Sequence, residues 1–353
     1  MKTAKVGTRN DTRLIRLARL FLFATLSAAA LAQPSFAASL TPSAPVELTG
    51  THGKFDFIKV DETRGRLLAC HTANGSLDVI DETTSKLIKS IPTGNAQGVA
   101  IDDKGGRYFV SVSKPPQLVI IDAAKLEITG KVPLPEAADL CAYSPKLNWV
   151  TVDDDEKGQI WNVDLKMMSV LHEWDFSPST GMEDLAFDST GTFFIQNMKD
   201  ESKLWVLDYA ALPIFASTMP AMGNNPMPEI STLPAEKPHG LAMVGADKVL
   251  VAGGTGKLAL LNYKTGKVIA STDIAPRVDE IAYDSGTGNA YCASGTGIIS
   301  VVSVGKDTLG ASETIASAQG AHSIAVDSKK HIVWIAFARG QKSFVQAFAE
   351  NVL

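Results

Sequence analysis

Seven polar residues recur at one position of a repeated hexapeptide: Asp56, Gln97, Asp139, Glu183, His239, Asp279 and His322. Six of them are acidic or imidazole side chains, the types that ligate a cation or move a proton. Asp184 and Glu280 directly follow two members and add further carboxylates. Carboxylates gathered in one place repel one another unless protons or a cation intervene. Two imidazoles among several carboxylates suit manganese or zinc, and the carboxylate majority also admits calcium. We therefore expect Glu183, His239, Asp279, His322 and Asp56 to form an arc that binds a divalent cation, with Asp139 across from it. If such a site is catalytic, His239 and His322 are the candidate ligands or general bases. Two other readings compete. The column is a solvated rim and nothing more, or an anion or sugar binds there through Arg339 and His71; Asp56, Gln97 and Asp139, with those two, are the ligand-binding candidates in general.

The hexapeptides themselves show what must position these residues. They run Asp56-Phe-Ile-Lys-Val-Asp61, Gln97-Gly-Val-Ala-Ile-Asp102, Asp139-Leu-Cys-Ala-Tyr-Ser144, Glu183-Asp-Leu-Ala-Phe-Asp188, His239-Gly-Leu-Ala-Met-Val244, Asp279-Glu-Ile-Ala-Tyr-Asp284 and His322-Ser-Ile-Ala-Val-Asp327. Their third and fifth positions are apolar throughout, and the fourth is alanine in every copy but the first, which has Lys59. Apolar residues two apart around a small one describe a short strand buried on both faces.

Successive copies start 41, 42, 44, 56, 40 and 43 residues apart. A period near 42 is the length of a four-stranded propeller blade. Between copies, Gly, Asn, Asp and Pro mark turns at short intervals, as in Glu62-Thr-Arg-Gly65 and Ala73-Asn-Gly75. The expected fold is all-β, a seven-bladed β-propeller with four antiparallel strands per blade. The last copy is followed by only two further strand-like runs, so Pro45–Gly50 is expected to supply its outer strand and remove an open edge. In such a ring the first strand of each blade lines the central channel. Its start shares a face with the loop between strands two and three, so the polar column crowds one channel mouth. His71, Asn74, Lys114, Asp153–Asp155, Asn197, Arg339 and Lys342 sit on loops of that face.

Residues 1–37 read as a secretory signal peptide: six Lys and Arg residues, an apolar run Leu20–Leu31 and the small-x-small pattern Ser35-Phe36-Ala37. The domain is then 38–353, and its expected location is periplasmic or secreted, with no transmembrane segment after cleavage. Removing six basic residues and one acid from 33 and 38 leaves 27 against 37, a formal charge of −10. That balance disfavours broad nucleic-acid binding. Cys70, Cys141 and Cys292 fit neither a zinc knuckle nor a haem-attachment motif, and read as buried thiols. No phosphate-binding loop or nucleophile elbow is present. The expectation is therefore no haem and no nucleotide.

The longest interval carries an insertion at 220–238, with Met219, Met222 and Met227 in or beside it. These methionines read either as rim packing or as soft copper(I) ligands on a lid. His172 and His331 read as structural or surface residues, and His52 lies near the mouth.

Pro238-His-Gly-Leu-Ala, Gly98-Val-Ala-Ile-Asp and Asn74-Gly-Ser-Leu-Asp-Val-Ile-Asp81 resemble the YVTN family of seven-bladed propeller repeats across nearly the whole of 38–353. The resemblance implies the propeller. The architecture hosts both binding proteins and lactonases or lyases, so it assigns no catalytic residue. Two functions remain in view: an exported propeller binding a small ligand, divalent metal or protein partner at the channel mouth, or a lactonase-like, metal-assisted hydrolase or lyase using the same site.

Overall fold

A computed structural model describes residues 39–210 and 229–351. The segment read as a signal peptide, and Met219, Met222 and Met227, lie outside the described residues. The chain forms a seven-bladed β-propeller. Blade one comprises Ile58–Asp61, Arg66–His71, Ser76–Asp81 and Leu87–Ile91, and five further blades repeat this antiparallel meander. Thr72–Asn74 is the one helical turn among the described residues. No helix among them is long and apolar enough to cross a membrane.

Each inner strand is short because its ends have work besides sheet pairing. The acid closing the hexapeptide caps the following turn: Asp61, Asp102, Asp284 and Asp327 accept backbone N–H groups two or three residues ahead at 2.7–3.1 Å. Such Asx turns satisfy the chain where it leaves the sheet. The third-position residues, among them Ile58, Val99, Leu241 and Ile324, are buried. The core is consequently not central. It consists of seven apolar clusters, one between each pair of neighbouring blades. Cys70, Cys141 and Cys292 are free, buried thiols within three of them.

Blade seven consists of Ser323–Asp327, Ile332–Arg339 and Lys342–Glu350, closed by the N-terminal segment. The closing strand begins earlier than the sequence implies. Leu40–Pro42 pairs with Phe348–Glu350, and Val46–Glu47 then pairs with Phe344–Val345. Two buried leucines decide this. Leu40 enters the cluster between blades six and seven, and Leu48 enters the cluster between seven and one. The insertion is also shorter at its end than expected. Glu229–Ser231 pairs with Lys203–Trp205 as the outer strand of blade four, so the excess falls within 211–228.

Leu40 is 1% exposed, so Leu40→Ala leaves a cavity at the closure. We expect a loss of about 2–5 kcal/mol in denaturant unfolding. Deleting 38–50 should lower the melting temperature further and promote aggregation through the bared edge. Unchanged melting would place the closure elsewhere.

Candidate functional site

The polar column does assemble at one mouth, and β-bulges aim it. The register of the inner strand shifts between Met182 and Leu185, Pro238 and Leu241, and Val278 and Ile281. Each bulge contains one site residue and its successor: Glu183 with Asp184, His239 with Gly240, Asp279 with Glu280. An extra residue in a bulge turns neighbouring side chains to different sides. The first of each pair joins the mouth, while the acids in second place latch blades together. Asp184 Oδ2 accepts the Leu241 N–H at 2.9 Å, and Glu280 Oε2 accepts the Ile324 N–H at 3.0 Å. Gly240 has a different reason. A Cβ there would lie 2.8 Å from Ile281 N and 3.0 Å from Asp279 O, so only glycine lets blade five approach blade six this closely.

At the centre of the arc, Asp279 is shared by two imidazoles. His239 Nδ1 lies 3.0 Å from Asp279 Oδ1 and 3.3 Å from Glu183 Oε2. His322 Nδ1 lies 2.7 Å from Asp279 Oδ2, an ion-pair contact off the line of a hydrogen bond. Lys199 Nζ engages the other oxygen of Glu183. Burial lowers the affinity of His239 for a proton, but hydrogen bonds donated to Asp279 and Glu183 outweigh it and carry the imidazole up to about 9. The contact with Asp279 likewise raises His322. Burial pushes Asp279 upward, yet both imidazoles together hold it well below the usual carboxylate range. Asp56 stands beside His322, and burial pushes its carboxyl up to about 6. The mouth therefore relieves part of its carboxylate repulsion with a proton on His239.

Across the channel, burial and the neighbouring Asp153 push Asp139 far above a normal carboxyl. Gln97 carries a buried amide oxygen with no donor. His71 does not open onto the mouth. It is fully buried, with Nδ1 2.6 Å from Asp78 Oδ2 and Nε2 within 3.2 Å of Gly53 O and 3.0 Å of Ser343 Oγ. Both nitrogens are used, and the ring stacks on Phe55. Arg339 is exposed and lies over Phe337 and Phe344, 5.0 and 5.6 Å from the ring centres.

Sequence reading missed the side chains that fix this geometry from behind. Ser111 Oγ donates to Asp139 O, Gln196 Nε2 to Glu183 O, Asn197 Nδ2 to His239 O and Ser323 Oγ to Asp56 O. Their sequence signal was a polar residue inside a largely apolar strand-like run, and all four are fully buried. A second group of potential ligands, Asp284, His331 and Glu350, also lies apart from the column.

A cavity of about 490 Å³ opens beside the arc, lined by His239, Asp279, His322, Lys237, Arg277 and neighbouring glycines. Among the described residues, no hydrogen bond engages Nε2 of His239 or His322.

Comparison with known proteins places the fold in context. Residues 46–211 match a family model described as the cytochrome D1 heme domain. No curated protein matched the sequence. Solved structures similar to the chain include one from "Crystal Structure of Mitotic Checkpoint Complex", with 14% identity, TM-score 0.71 and coverage of 93% of this chain and 98% of that one. "Structure of U3-55K" and "Crystal structure of RRP9 WD40 repeats" each give 10% identity, TM-score 0.70 and coverage of 87% and 99%. At these identities the likeness is one of fold.

The match to a heme domain corrects the expectation of no haem, which rested only on the missing attachment motif. Attachment through cysteines is not the only way to hold the group; a histidine suffices as axial ligand. The residues at the mouth fit it. Nε2 of His239 and of His322 is free of hydrogen bonds among the described residues, Nδ1 of each lies against Asp279, and Lys237 and Arg277 line the same cavity, so an axial imidazole and cations for carboxylates are present together. These donors lie outside the matched span, in which His71 is closed off.

The protonated His239 makes stability depend on pH. Its folded value is raised from 6.5 to about 9 by Glu183 and Asp279, with Lys199 and His322 on the same carboxylates. A raised value means the contribution is complete below pH 6.5 and vanishes as pH rises through about 9. We expect the stability difference between wild type and His239→Gln, measured by urea unfolding in chelator, to shrink across that interval. A difference constant from pH 6 to 9.5 would show that His239 is not charged against these carboxylates.

Proposed function

We propose that the protein is an exported propeller of YVTN-type repeats that binds a divalent cation or small polar ligand at its channel mouth, through Glu183, His239 and Asp279 with His322 and Asp56 beside them. One observation carries this reading: Glu183, His239 and Asp279 each offer a ligand atom, all within 4.8 Å of one another. A cation there would replace the proton on His239 and hold the carboxylates together in its stead. Export is supported by the basic, apolar and small-residue order of residues 1–37.

The open cavity beside the arc favours a second reading, a metal-assisted hydrolase or lyase. A cation with a free position polarises a carbonyl or activates water, and His322 stands within reach as a base. The likeness to a heme domain adds a third ligand class. His239 or His322 would hold that group, Lys237 and Arg277 would meet its carboxylates, and it would supply redox chemistry when bound. In the cation reading Asp279 is itself a ligand, whereas in the haem reading it would stand behind both imidazoles, holding Nδ1 and strengthening Nε2 as a donor.

The test is metal analysis and an absorption spectrum of the purified protein, followed by melting curves with manganese, zinc, calcium, haem or chelator. We expect one of these ligands to stabilise the wild type, by about 2.7 kcal/mol at a hundredfold excess over Kd. The double variant His239→Ala/His322→Ala should lose that gain and remain folded. No bound metal, no Soret band and no shift with any ligand would leave the mouth a solvated rim.

A further inference from the structure

Deeper in the channel lies another cavity, of about 480 Å³, that shares no lining residue with the one beside His239. Inner strands of all seven blades line it, and its wall is mainly alanine and larger apolar side chains, including Phe57, Tyr143, Phe187 and Tyr283. Its size falls in the range of small-molecule pockets, about 300–1,000 Å³.

One residue breaks the pattern of this wall. At the fourth position of the hexapeptide, six blades place Ala100, Ala142, Ala186, Ala242, Ala282 and Ala325, while blade one places Lys59. Six methyl groups leave the lumen open, and a single four-carbon stem with an ammonium enters it. Lys59 is exposed and lines the cavity. No hydrogen bond or ion pair to its ammonium occurs among the described residues. Of the two carboxylates in the wall, Asp184 is near enough to feel the Lys59 charge, but neither forms an ion pair with it and both accept hydrogen bonds elsewhere. Asp184 accepts the N–H groups of Leu241 and Leu185, and Asp188 accepts from Thr190, Thr192 and Phe193. Packing does not require the lysine, because alanine fills the equivalent place six times. An exposed ammonium with no ion pair in the cavity it lines is available to the counter-charge of a ligand.

We infer that the deep channel is a pocket for a small organic monocarboxylate with an apolar body, its carboxylate on Lys59 Nζ and its body against Phe57, Tyr143, Phe187 and Tyr283. A single ammonium matches one negative charge; a phosphate dianion would need several donors, which this wall lacks. The apolar lining selects the remainder of the molecule. This pocket goes beyond the mouth site and does not depend on it.

Isothermal titration of the chain from Ala38 with octanoate, benzoate and 1-octanol tests the inference, using wild type, Lys59→Ala and Lys59→Met. Alanine is native to the other six blades, and methionine keeps the length of the stem without its charge. Melting curves confirm that each variant is folded, and either one alone suffices. We expect at least one carboxylate to bind the wild type more tightly than 1-octanol does. Both variants should weaken that carboxylate about tenfold or more, the worth of one charge-assisted contact. Three results overturn the inference: no carboxylate binding at millimolar concentration, affinity unchanged in the variants, or 1-octanol binding as tightly as the acids.

Discussion

Everything at the channel mouth depends on closing the ring between blades seven and one. Lys342–Glu350 pairs on one side with Ile332–Arg339 and on the other with the N-terminal Leu40–Pro42 and Val46–Glu47. That pairing completes the cluster in which Trp334 and Val345 of blade seven pack against Phe55, Ile58 and Leu67 of blade one. Closure also makes a line of neighbours from residues far apart in sequence: Asp56 from blade one, His322 from blade seven, Asp279 from blade six and His239 from blade five. An open ring would separate Asp56 from His322 and lose the Ser323 hydroxyl bond to Asp56 O.

Within the closed ring, the bulges let one strand do two jobs. Without the extra residue, Glu183 and Asp184 would alternate simply across the sheet, as would Asp279 and Glu280. With it, the first acid serves the mouth and the second ties its blade to the next. The mouth is therefore held from behind by buried hydrogen bonds and faces the solvent with donors still available. Asp279 shows the balance of forces most clearly, since its burial cost is outweighed only by two imidazoles. A ligand that binds here competes with protons, and so with pH.

The fold was legible because repetition multiplies a weak signal. One apolar–small–apolar strand is ambiguous, whereas seven copies about 42 residues apart define blades and their order, and with them the arc from Glu183 to Asp56. The division of labour inside each bulge was not legible, since adjacent acids look alike until register is known. His71 misled for a related reason. Its loop lies on the mouth face, but Asp78, seven residues on, turns the ring inward. The closing strand was placed near its true position and its start missed, because the prolines hid the two-part pairing of Leu40–Pro42 and Val46–Glu47. Haem was set aside for want of a cysteine motif, although imidazole ligation leaves no such motif in a sequence.

The most direct measurement is a crystal structure of the chain from Ala38 grown with manganese or zinc, with anomalous differences recorded at the metal edge. The account expects a peak bounded by Glu183, His239 and Asp279, with the proton between His239 and Asp279 displaced. An empty map at that position, with His239 still hydrogen-bonded to Asp279 at millimolar metal, would contradict the assignment of the mouth as a cation site.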